Sequence, residues 1–355
     1  MKNQNILALA LKPARRVTKS VGIGIVLMLA AAVIAMITPS AASGRRPCQG
    51  PTATLLVTGL DTGLESAKGS TVGPDGALYV TEGAVGRISR VDPLTGEVTT
   101  FASGLPPAII GIGGAIIGGA IDVAFIDNIA YVLVTLVSPD VGGSDVDGIY
   151  RVDGPDSFTV VADIGEFNLA NPPPTPFDVP TGLQFALQTF RGGFLVTDGH
   201  LNRVLRVTLD GEVAVLIAFD NIVPTGLEVR GNTIYMAEAG PVPHLPENGK
   251  IVSFGPNSPT ATEVASGAPL LVDVEFGGGD VLYALSQGIF PAGSPPATPA
   301  LRYTGSLVKV NEDGTFTFIT DGLDQPTSLE FIGNTAYFVT LMGEIWKIDG
   351  VSCRP

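Results

Sequence analysis

The chain of 355 residues carries 34 acidic against 20 basic side chains, a formal charge of −14 at pH 7. It therefore lacks the basic footprint that nucleic acid or an anionic lipid surface requires. Its 45 glycines and 28 prolines accompany 45% apolar residues, which excludes a disordered chain and fits a turn-dense all-β protein with ample material for a core.

Residues 1–42 stand apart. Lys2, Lys12, Arg15, Arg16 and Lys19 form a basic start, Val21–Ile37 is an uncharged apolar run, and Thr38-Pro39-Ser40-Ala41-Ala42 supplies small residues for cleavage. This is the pattern of a secretory signal peptide, and it predicts a secreted or cell-envelope protein. The apolar run is also near the lower limit of a membrane span. An uncleaved anchor is thus the alternative, and a membrane is a partner only in that case. Losing the five basic residues of this segment takes the formal charge from −14 to −19.

From residue 43 to 355 one pattern recurs six times, with four short strands in about forty to fifty residues, the spacing of a β-propeller blade. Unit one (64–106) contains VGPDGALYVTE, GRISRVD and EVTTFASGL; unit two (111–165) contains IDVAFIDNIAYVLVT, GIYRVDG and SFTVVADIG. Unit three (177–222) has PTGLQFALQTFRGGFLVTD, NRVLRVTLDG and EVAVLIAF. Unit four (223–268) opens on PTGLEVRGNTIYMAE and continues through GKIVSFGP and TEVASGA. Unit five (269–325) has VDVEFGGGDVLYALS, GSLVKVNEDG and TFTFITDGL. The sixth, PTSLEFIGNTAYFVT then GEIWKIDG from Pro326, stops after three strands. No sustained 3.6-residue amphipathic pattern appears beyond the N-terminus.

The missing strand lies at the other end of the chain. Ala53–Leu60 reads ATLLVTGL, like TFTFITDGL and EVTTFASGL, and pairing it with 344–349 closes the ring without a large free edge. The expected fold is a six-bladed β-propeller whose N-terminal strand completes the last blade. Cys48 precedes the donated strand and Cys353 follows its partner, so the two cysteines fall at one end of one antiparallel pair. In an exported protein that predicts a disulfide. Spanning about 300 residues, it would constrain the unfolded chain by roughly 5 kcal/mol.

Blade strands alternate in direction, so connections collect on two faces. Turns such as GPDG, RGN and IGN are tight, whereas Ser138–Gly148, Ala239–Gly249, Gln287–Gly305, Leu105–Gly119 and Asp163–Pro180 are long and share the other face. Long loops on one end of a rigid ring are where binding is built. The second strands of units one, three and four end there in Glu82, Asp198 and Glu238. The starts of the innermost strands carry Asp122 and Asp273 in units two and five, opposite one another, where the others have Gly69, Gly182, Gly226 and Ser328. Carboxylates facing across a channel repel unless a cation or protons intervene. These five acids are therefore candidate ligands for Ca²⁺ or Mg²⁺, with capping of backbone amides as the alternative role. No cofactor is otherwise required.

Catalytic chemistry is thin. His200, next to Asp198 in VTDGHLNR, is a candidate general base, but a base needs a partnered nucleophile or metal. His244 in VPHLPENG has no visible partner, and no GxSxG, HExxH or P-loop is present. Gly111–Gly119 is glycine-rich but has no βαβ context.

The string GPDGALYVTEGAVGRISRVDPLTGEVTTFASGLP and the blades that follow it, through PTGLEVRGNTIYMAE, resemble the ScyD/ScyE family of exported bacterial proteins, first associated with sunscreen-pigment clusters. The likeness covers about residues 50–352 and is more distant to NHL, gluconolactonase and strictosidine synthase-like six-bladed propellers. It implies an exported propeller and supplies no catalytic residues. Gluconolactonase-like relatives place Glu, Asn and Asp around a divalent metal in the channel, a set that the strand-end acids imitate only in part. Two functions follow as expectations: a non-catalytic binding or scaffold propeller recognising a small molecule, glycan or protein on the long-loop face, or a divalent-metal-dependent hydrolase or lactonase.

Overall fold

The structure is a computed structural model that describes residues 51–58, 67–112, 115–175, 177–258 and 260–351. Residues 1–42, expected as a signal peptide, lie outside the described residues, as do Cys48, Cys353 and the disulfide expected between them.

Six four-stranded antiparallel sheets form the molecule. From the innermost strand outward, blade 1 is Ala67–Val72, Leu78–Glu82, Arg87–Val91 and Val98–Ser103; blade 2 is Gly119–Ile126, Ile129–Thr135, Gly148–Gly154 and Ser157–Asp163. Blade 3 is Gln184–Phe190, Gly193–Asp198, Arg203–Val207 and Val213–Ala218; blade 4 is Pro224–Arg230, Thr233–Glu238, Lys250–Phe254 and Thr262–Ser266. Blade 5 is Leu271–Phe276, Leu282–Ser286, Gly305–Val310 and Phe316–Leu323. Blade 6 has Pro326–Ile332, Thr335–Thr340 and Ile345–Asp349, and Thr52–Val57 supplies its outermost strand. The closing register pairs Ala53 with Ile348 and Leu55 with Trp346, as the repeat arithmetic required.

The second strands explain why the core needs no separate layer. Side chains alternate across a strand, and here both faces meet a neighbouring blade. Tyr79 packs with Val132 between blades 1 and 2, and Leu133 with Val196 between blades 2 and 3. Leu195 meets Met236, Ala237 meets Ala284, Leu285 meets Phe338, and Val339 meets Val80 across the closure. Successive residues of one strand thus serve successive seams, which is why LYV, YVLV and FLV read as unbroken apolar runs. Outermost strands are more exposed, as in Val213–Ala218, where only Ile217 is buried.

Three details depart from the sequence reading. Blade 2 is preceded by a small hairpin, Ile110–Ile112 with Ala115–Ile117. Ile164–Ala170 forms an α-helix in the linker after blade 2, capped by Asp163 accepting from Glu166 N–H at 2.7 Å; two turns are too short to show a helical period. Finally, the inner strand of blade 3 starts at Gln184, four residues after Pro180, whereas Pro224 and Pro326 begin theirs. Leu187 aligns by register with Leu227, Val274 and Leu329. The residue matching Asp122 and Asp273 in blade 3 is therefore Ala186, not Gly182.

Candidate ligand channel

The inner strands surround a cavity of about 550 Å³. Ile117, Leu183, Val242, His244 and Pro296–Pro299 line one end of it. All but Leu183 belong to the long loops, so the cavity opens towards the long-loop face.

The five predicted metal ligands do not come together. Among the described residues, no three His, Cys, Asp or Glu side chains form a group able to hold a metal ion. Each acid instead has a local partner or a local cause. Glu82 is fully buried and receives Arg87 in a two-pronged pair, at 2.8 Å and 2.6 Å, plus Ser89 Oγ at 2.5 Å. Asp198 is fully buried too, accepting from Asn168 Nδ2 at 2.8 Å, Gln184 Nε2 at 3.2 Å and the N–H groups of Leu183 and Leu201. Arg203 lies opposite it in register and donates to Asn168 Oδ1 at 2.7 Å, so the linker helix relays between the two charges. Glu238 faces Lys250 in register, but Lys250 is drawn to Glu263 on the outermost strand at 2.6 Å. Burial then pushes Glu238 up to about 7.

These three acids share one rule: each ends a second strand opposite a base that opens the third. Buried carboxylates left without such partners would cost several kcal/mol.

Asp122 and Asp273 act as buckles between blades. Asp122 accepts from its own following N–H, Val123, at 2.9 Å and from Leu187 N–H of blade 3 at 2.7 Å. Asp273 repeats this with Val274 at 2.9 Å and Leu329 of blade 6 at 2.7 Å. On the other side stands a glycine: a Cβ on Gly69 would overlap Asp122 Oδ1, and one on Gly226 would overlap Asp273 Oδ1. The two half-rings thus carry the same Gly–Asp–N–H arrangement.

Sequence reasoning missed the acids that face the cavity. Glu228, Glu275 and Glu330 sit two residues beyond the Asp positions, opposite Tyr235, Tyr283 and Tyr337 on their second strands, and all three line the channel. The matching residues in blades 1–3 are Thr71, Ala124 and Gln188. Burial, then the neighbouring carboxylates, push Glu275 and Glu330 well above the usual carboxylate range. Glu228 is raised by burial, with Gln188 Nε2 donating to it at 2.9 Å. The signal was present in PTGLE, VDVE and PTSLE.

His200 lines the channel beside Phe177, with ring centroids 5.2 Å apart, and its Nε2 accepts from Val179 N–H at 3.2 Å. Burial lowers its pKa. Asp198, its expected partner, is bound up in the network above.

No protein-family model and no curated protein matches the chain. Solved structures do. A gluconolactonase from Xanthomonas campestris superposes with a TM-score of 0.57 at 11% identity, covering 84% of this chain and 89% of that one. A Thermus thermophilus protein described as a putative oxidoreductase (glucose dehydrogenase) gives 0.56 at 17% identity, over 84% and 100%. The PQQ-bound aldose sugar dehydrogenase of Streptomyces coelicolor gives 0.51 at 15%, over 85% and 99%. At such identities the likeness is one of architecture: the chain is a six-bladed β-propeller.

Proposed function

We propose that this is an exported, non-catalytic binding propeller of the ScyD/ScyE type that takes a small molecule into its channel from the long-loop face. The observation that supports this reading is the cavity of about 550 Å³, which combines apolar lining such as Ile117, Leu183 and Val242 with polar groups such as His200, His244, Glu228, Glu275 and Glu330, a size and mixture that suit a small-molecule site. The candidate base packs against Phe177 and accepts from Val179 N–H, and the acid next to it in sequence is engaged by neighbouring amides. Export rests on the signal-like segment of residues 1–42. The test is a thermal-shift screen of the purified protein against small molecules. A saturating ligand at a hundred times its Kd should stabilise the fold by about 2.7 kcal/mol. Absence of any binder across amine, alcohol, sugar and carboxylate classes would overturn the reading.

A divalent-metal-dependent hydrolase or lactonase is the second reading, supported by the three glutamates that share the cavity. Turnover of a lactone or ester that requires added Ca²⁺ or Mg²⁺, and is lost with EDTA, would replace the first reading with this one.

A further inference from the structure

The polar groups of the channel are unevenly distributed in both charge and hydrogen-bonding character. Among the described residues its lining holds five carboxyl groups, Asp122, Asp273, Glu228, Glu275 and Glu330, against a single lysine, Lys68, and no arginine. The two aspartates are taken up by backbone N–H groups. The three glutamates form an arc along blades 4, 5 and 6 only, because the same register position in blades 1–3 is neutral. One side of the channel is therefore acidic at a single depth and the other is not.

His244 provides an independent pointer. Its side chain lines the channel although the residue is only 7% exposed. Nδ1 lies 2.7 Å from Gly240 O and 3.2 Å from Ala239 O, so Nδ1 carries the hydrogen and Nε2 is left as an acceptor. No protein donor reaches that Nε2 among the described residues. An acceptor left open on a residue that lines the cavity suits a donor from whatever fills the cavity. Above the arc, Ile117, Ile121, Leu183, Val223 and Leu270 line the wall with apolar surface.

We propose that the channel binds an organic cation, an ammonium group on an apolar body, with the ammonium against Glu228, Glu275 and Glu330. The apolar body lies against the loop-face wall, where a donor on the ligand meets His244 Nε2. This deepens the binding reading above and rests on it. An ammonium supplies donors and positive charge together, which relieves the repulsion among the three carboxyls and suits charge-assisted hydrogen bonds. A carboxylate ligand would add to that repulsion, and a neutral alcohol would leave it in place.

The experiment is isothermal titration of the purified protein at pH 8 and low salt with three probes of similar size: phenethylamine, 2-phenylethanol and 3-phenylpropionate. Calcium chloride is titrated alongside. The amine should bind at least tenfold more tightly than the alcohol, and the carboxylate should not bind. Glu275→Gln and Glu330→Gln should each weaken the amine at least tenfold, with a native circular-dichroism spectrum and cooperative melting curve showing that each variant is folded. Equal affinity for amine and alcohol, tighter binding of the carboxylate, or amine binding indifferent to both substitutions would overturn the proposal. So would calcium binding that excludes the amine. If the alcohol or the carboxylate binds in place of the amine, the channel reading stands and only the ligand class fails. If none of the three binds and the wider screen is also empty, both fail.

Discussion

Arg87 holds a carboxylate that has no water to fall back on: Glu82 is fully buried, with Arg87 and Ser89 as its partners. Arg87→Ala should therefore destabilise the protein by about 3–5 kcal/mol, read as a lower denaturant midpoint, whereas an exposed pair such as Arg230–Asp280 should cost less than about 1 kcal/mol. The sequence already held this distinction. GRIS, NRVL and GKIV each place a base at the start of the third strand in the very units whose second strands end in an acid, but reading the acids alone left a cation and the capping of backbone amides as alternatives. Asp122 and Asp273 were legible as a repeat exception and not as buckles, because the N–H groups they hold come from blades 65 and 56 residues further along. Asp273→Ala should cost about 1–3 kcal/mol, the penalty of an unsatisfied buried N–H at Leu329. Glu238 sets a pH dependence. Its folded pKa of about 7 lies above the ordinary value of 4.5, so between those values the folded state keeps a proton that the unfolded state releases. The stability this group contributes is then fully present below pH 4.5 and is lost as pH rises through 7, by at most about 3 kcal/mol. Thermal midpoints measured between pH 5 and 8 should decline, and Glu238→Gln should remove part of that decline, the channel carboxyls Glu228 and Asp273 contributing with the same sign.

Elements followed the repeat wherever a strand had neighbours on both faces. The second strands could be placed because they are continuous apolar runs between turns, and the closing strand because its pattern matched two other outermost strands. The helix Ile164–Ala170 escaped because two turns carry no period, although Asp163 and Glu166 are spaced as a cap. The four-residue displacement in blade 3 escaped because Pro180-Thr181-Gly182 copies the opening of units four and six, while Gln184 takes the position opposite Asp198. The closing strand gives a test at this scale. Val57 is 7% exposed and belongs to the cluster with Val339 and Ile345, so Val57→Asp buries a charge at the seam. It should reduce stability by several kcal/mol and increase aggregation through the freed edge at Ile345–Asp349; an unchanged melting curve would contradict the ring-closing role of Thr52–Val57.

At the scale of the whole molecule, the six four-stranded sheets of the described residues and the seams between them make a closed ring. Such a ring leaves one continuous internal surface, the channel, and one looped face to guard it. Composition and repeat length sufficed for the ring, whereas the channel's acidic arc depends on register, which a one-residue slip would turn outward. The Cys48–Cys353 bridge remains a proposal for the exported protein: non-reduced mass spectrometry should show the two peptides linked, and free thiols at both positions would remove it.

The central claim is that a small molecule enters this channel from the long-loop face, and hydrogen–deuterium exchange with and without a ligand from the binding screen tests it most directly. Protection should appear in the loops 239–249 and 287–305 and in the inner strands carrying Glu228, Glu275 and Glu330. Protection confined to the outermost strands or to the tight-turn face, with those loops unchanged, would contradict it.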